Sequence, residues 1–133
     1  MAASEDLVLV ERFYQARGDR YVIDQMMSQD VVWDITPGFP LGGVYRGLET
    51  VLGNFLAPVG AQFSSLDARP EQLFADGDGH VVAVGYYAVT GHNGQAVEGR
   101  FVHVWTVANG QVNHLHQTAD SRVLEDAMQE PRP

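Results

Sequence analysis

His114, His116, Thr118 and Asp120 recur at every second position near the end of the chain. In an undistorted strand that spacing puts all four side chains on one face. A carboxylate and an imidazole sharing a face can pass a proton between them, and imidazole titrates close to neutral pH. Asp120 and His116 are therefore the candidate acid–base pair. Asp120 also precedes Ser121 and Arg122 at the start of a helical pattern, where an aspartate ordinarily serves as an N-cap. A bulge in the strand would break the shared face and leave two half-buried histidines.

Other chemistries lack their residues. There is no cysteine, so disulfides, thiolate metal sites and a cysteine nucleophile are excluded. The histidines at 80, 92, 103, 114 and 116 show no His-x3-His spacing, and no metal is expected. No nucleophile elbow, phosphate-cradling loop or dinucleotide fingerprint occurs, so no cofactor is expected. The net charge is −9, and all eight basic residues are scattered arginines. That balance argues against nucleic-acid partners, which need clustered positive charge, and against anionic membrane surfaces. No transmembrane stretch and no basic signal-peptide start are present, so a soluble, cytoplasmic protein is expected.

The elements that must hold such residues can be read from periodicity. Ser4 to Ala16 carries Leu7, Val10 and Tyr14 at helical spacing, with Glu5 and Asp6 in the first turn. Gly18 ends that helix, and Asp19 caps a short second one through Met27. Val31 to Thr36 is β-branched and aromatic and reads as a strand. Residues 37–43 hold two prolines and three glycines and form a loop. Leu48 to Leu56 restarts a helix, closed by Pro58 and Gly60. Strands then follow at Ser65–Phe74 (broken by Pro70), Val81–Thr90, Gln95–Val107 and Gln111–Thr118, separated by Asp/Asn–Gly turns. Ser121 to Met128 reads as a terminal helix, and 129–133 as a frayed tail. Residues 1–133 make one domain of segregated α+β type.

Three segments carry a resemblance. Asp30-Val-Val-Trp-Asp-Ile-Thr-Pro37, Tyr45-Arg-Gly-Leu-Glu-Thr-Val51 and the ending from Asn109 to Asp120 resemble the SnoaL-like polyketide cyclases of the nuclear transport factor 2-like superfamily. Limonene epoxide hydrolase and ketosteroid isomerase share that plan. The resemblance implies a cone: a curved, mainly antiparallel sheet with three helices from the N-terminal half closing an apolar pocket. It puts Asp120 where the cyclases and limonene epoxide hydrolase keep their acid–base aspartate. Phe13 falls where ketosteroid isomerase has its oxyanion-binding tyrosine, and Ile35 where that enzyme has its proton-shuttling carboxylate. It implies a pocket lined by Phe13, Trp33, Ile35, Phe55, one of Tyr86 or Tyr87, Val102 and Val104.

On that count Phe101, His103 and Trp105 lie on the outer sheet face, too apolar for water, where a second copy would pack to make a homodimer. Counted with a different turn length, His103 would line the pocket instead. The expected function is cofactor-independent acid–base catalysis of the cyclase, isomerase or hydratase type on a hydrophobic cyclic or polyketide-like small molecule. The alternative is a non-catalytic ligand-binding or partner-assembly domain, because one fold hosts many functions.

Overall fold

The computed structural model describes residues 3–128, so the tail 129–133 lies outside the described residues. Helix α1 spans Ala3–Ala16 and buries Val10 and Tyr14. Arg17 and Gly18 then take left-handed backbone angles, φ 49° and 84°. Asp19 accepts the Tyr21 backbone N–H at 2.9 Å and caps α2, Arg20–Met26. Strand β1, Met27–Ile35, follows directly.

β2, Gly43–Arg46, pairs antiparallel with β1 in a stretch, between the expected loop 37–43 and the helix from Leu48, where no strand was expected. Four residues at a sheet edge are too few for a legible alternation. The next helical segment also differs from expectation. It runs as α3 Leu48–Thr50, a π-helical stretch Val51–Leu56 and α4 Ala57–Ala61. Pro58 does not end it. A proline inside an α-helix clashes with the carbonyl four residues back. Here the Ala57 N–H bonds to the Leu52 carbonyl, five residues back, and the wider turn admits the ring. Val51, Leu52 and Phe55 still share the buried face.

The remaining strands are β3 Phe63–Ala75, β4 His80–Gly91, β5 Ala96–Ala108 and β6 Gln111–Ala119, followed by α5 Ser121–Ala127. The six-stranded order is β2-β1-β6-β5-β4-β3, with β1 and β6 parallel and every other pair antiparallel. Pro70 is absorbed by a bulge between Pro70 and Gln72. α1 packs over β3 and β4, and α5 over β5 and β4. At Gly99 a Cβ would stand 2.5 Å from the Leu124 side chain, so glycine lets α5 sit close to β5. Among the described residues no helix is long and apolar enough to cross a membrane.

The faces of β5 are reversed from the count made on the sequence. Phe101, His103 and Trp105 are 2%, 3% and 0% exposed under the helices, whereas Val102 is 39% exposed on the outer face. Val102 and Val104 are therefore not pocket residues, and Phe101, His103 and Trp105 do not form an outer interface. Alternation tells which residues share a face but not which face is inside, and a slip of one residue exchanges them. The slip lies beside the Asn109–Gly110 turn, where the β5–β6 register shifts between Thr106 and Val107.

Candidate active site

The concave face of the sheet and the helices above it enclose a cavity of about 320 Å³. That is within the size range of small-ligand sites. Phe13, Trp33, Ile35, Phe55 and Leu115 supply its apolar wall. Its polar lining is Tyr14, Tyr87, His103 and Gln117 in the interior, with Arg17 and Arg20 among the exposed residues at the opening. Among the described residues no aspartate or glutamate lines it.

Each interior polar group comes from a different element and is fixed by packing. Tyr14 ends the apolar stripe of α1, Tyr87 alternates inward with Gly85 and Val89 on β4, and Gln117 alternates inward with Leu115 on β6. His103 lies between the two phenols. Its Nδ1 is 2.7 Å from the Tyr14 hydroxyl and its Nε2 is 2.7 Å from the Tyr87 hydroxyl. The Trp105 indole N–H donates to the Tyr14 oxygen at 2.9 Å, and the Gln117 amide donates to the Tyr87 oxygen at 2.8 Å. The Gln117 amide is oriented in turn by the Thr36 backbone N–H, which donates to Oε1 at 3.2 Å. Phe101 stacks on the imidazole, with ring centroids 3.8 Å apart and planes 6° apart.

Burial sets the protonation states. It lowers His103 from 6.5 to about 3, so the ring is neutral at ordinary pH. Burial likewise pushes Tyr14 and Tyr87 well above the usual phenol range, against the lowering effect of the bonds they accept from Trp105 and Gln117. Both phenols keep their protons.

The hydrogens can then be counted. A neutral imidazole has one N–H and one bare nitrogen. One phenol must donate to the bare nitrogen, and the other must accept from the N–H. The accepting phenol also accepts from its indole or amide neighbour, so its own O–H finds no acceptor among the described residues. The donating phenol keeps one lone pair free. Whichever tautomer His103 adopts, the network offers one donor at one end and one acceptor at the other. The wall is otherwise short of acceptors, and the Trp33 indole N–H is buried without a partner.

Phe13, Trp33, Ile35, Phe55 and Tyr87 line this cavity. Tyr86 points to the opposite face of β4, beside Arg69. The two acid–base candidates lie elsewhere. Asp120 is exposed, is absent from the cavity lining, and caps α5 by accepting the Val123 N–H at 3.4 Å. His116 is exposed on the outer face, 3.8 Å from the Asp34 carboxylate. Leu115 and Gln117 are the inward residues of β6, so alternation turns His116 outward, and Asp120 lies past the end of that strand, held at the cap of α5. Tyr14 lies within the apolar stripe of α1, and Gln117 lies between the polar residues His116 and Thr118, so neither stands out in the sequence. A tyrosine within a core stripe carries a hydroxyl that needs a buried partner, and that was the available signal.

Comparisons with known proteins agree with this fold. Residues 10–115 match the SnoaL-like domain. An uncharacterized protein of Mycobacterium tuberculosis is 29% identical over 119 residues, 88% of this chain and 90% of its own. Among solved structures, an NTF2-like protein of Burkholderia thailandensis superposes with a TM-score of 0.84 at 26% identity, covering 94% of this chain and 98% of that one. TerC, co-crystallized with polyporic acid, superposes with a TM-score of 0.85 at 24% identity, covering 95% and 99%.

Proposed function

This chain belongs to the SnoaL-like domain family, and from that premise we propose that it is a cofactor-independent acid–base enzyme acting on a hydrophobic, cyclic, oxygen-bearing small molecule. The observation that carries the reading is the Tyr14–His103–Tyr87 network in an apolar cavity. In a dry site a fixed phenol donor stabilises a developing oxyanion far better than water-exposed groups do. TerC, a neighbour of this fold, is co-crystallized with polyporic acid, and that supports a small-molecule reading of the cavity.

The reaction is a proton transposition of the isomerase or cyclase type. With the His103 proton on Nδ1, Tyr87 takes a proton from one substrate atom and gives its own to Nε2. Nδ1 releases its proton to Tyr14, and Tyr14 delivers its own to a second substrate atom. All three side chains are neutral before and after. Only the His103 tautomer has changed, and a reverse shift through water in the emptied cavity restores it. Trp105 and Gln117 position the two phenols, and Phe101 positions the imidazole.

A second reading has its own support. Among the described residues no carboxylate lines the cavity, and His103 is a weak base there. Those facts suit a domain that binds such a molecule without changing it. One experiment separates the two: mass spectrometry of a molecule carried through purification, repeated after incubation with fresh protein. Conversion by the wild type and by Asp120→Asn, but not by Tyr87→Phe with binding kept, supports catalysis at the network. Binding without conversion by any of them supports the carrier. The outer sheet face, with Val82, Val84, Val102 and Val104, is where a second copy of the chain pairs in this proposal.

A further inference from the structure

The opening of the cavity has a charge that the rest of the molecule does not. The chain contains 17 acidic and 8 basic residues, yet among the described residues the only charged ones lining the cavity are Arg17 and Arg20. Both sit where α1 passes to α2, with Gly18, on the exposed part of the lining. Neither makes an ion pair or a side-chain hydrogen bond among the described residues. Of the nearby carboxylates, Asp19 accepts the Tyr21 N–H, and Asp67, across the groove beside Arg17, is held by Arg69 at 3.0 Å; Asp24, one turn along α2 from Arg20, makes no ion pair with it among the described residues. Glu98 lies in that neighbouring groove and not on the cavity.

An exposed arginine is usually just solvated. Two unpaired ones at the mouth of an apolar cavity, in a chain of net charge −9, are a different arrangement. Such a field attracts an anion locally while the surrounding surface repels it. We infer that the molecule bound here carries an anionic group, a carboxylate, sulfonate or acidic enol, which Arg17 and Arg20 hold at the rim while its apolar ring system fills the interior. The guanidinium is suited to this because it presents several donors in a planar fork to an oxyanion. The inference rests on the proposed small-molecule cavity and adds the charge of the ligand.

The test uses two fluorescent probes with the same aromatic body. 1-Anilinonaphthalene-8-sulfonate is anionic, and N-phenyl-1-naphthylamine is its neutral counterpart. Energy transfer from tryptophan reports occupancy of the cavity, since Trp33 is in the wall. The anionic probe is expected to bind the wild type more tightly than the neutral one. Arg17→Gln and Arg20→Gln should each weaken it roughly two- to fivefold, as exposed ion pairs do, and leave the neutral probe unchanged. Added salt should weaken only the anionic probe. Arg46→Gln, on β2, controls for nonspecific attraction and should change neither.

Equal affinity for the two probes, or an anionic affinity indifferent to both cavity arginines, would overturn the anion inference while leaving the cavity intact. If neither probe binds, the small-molecule reading itself falls, and the inference with it.

Discussion

His103 sits neutral between two phenols, and pH reveals what that burial costs. Its ordinary value of 6.5 is lowered to about 3 in the fold. Above pH 6.5 neither state is protonated and the residue contributes nothing to the pH dependence. Below 6.5 the unfolded chain takes a proton that the native chain refuses, so stability falls as pH falls. The expected loss is about 1.4 kcal/mol per pH unit, or about 2 kcal/mol between pH 6.5 and 5. Urea titrations at those pH values should show this slope in the wild type and lose it in His103→Gln. Tyr87→Phe leaves the Gln117 amide and His103 Nε2 without their shared partner, and should destabilise the fold by about 1–3 kcal/mol in the same assay. From the sequence alone His103 could be assigned to either face, because strand alternation is symmetric. Tyr14 is masked by the apolar stripe of α1, and Gln117 by the polar residues on either side of it.

Among the elements, α1, α2, the last three strands and α5 were legible because each has a clear period and a cap or turn at its ends. Asp19, Asp76 and Asp120 all accept backbone N–H groups as such aspartates do. The π-helical stretch and the short strand β2 were not legible. The Ala57 N–H to Leu52 carbonyl bond that widens the turn before Pro58 leaves no mark on the sequence pattern, and four edge residues carry no period. The β5–β6 register shift had the widest effect, since it moved Phe101, His103 and Trp105 from an expected interface to the buried inner face, where His103 lines the cavity. The cap assignment of Asp120 makes its own prediction. Asp120→Ala should cost about 0.5–2 kcal/mol of stability, as lost N-caps do, and should leave probe binding in the cavity unchanged. A loss of binding or turnover with stability intact would restore Asp120 to the site.

At the scale of the whole molecule, one sheet serves two surfaces. The inner face holds the aromatic wall and the polar network; the outer face presents a valine patch in which Val102 is 39% exposed. If that patch pairs two copies, the wild type should sediment as a dimer at micromolar concentration. Val102→Asp should then sediment as a monomer that still binds N-phenyl-1-naphthylamine. A wild type that sediments as a monomer removes the pairing without touching the cavity. The central claim, that Tyr14 and Tyr87 present a hydroxyl donor to an oxygen atom of the occupant, is tested most directly by infrared spectroscopy. 1-Tetralone, a bicyclic ketone, can be bound in the cavity and its carbonyl stretch followed. The stretch should lie at lower frequency in the wild type than in Tyr14→Phe/Tyr87→Phe, because a hydrogen bond weakens the C=O bond. An identical frequency in the two proteins, with tetralone bound in both, would contradict it.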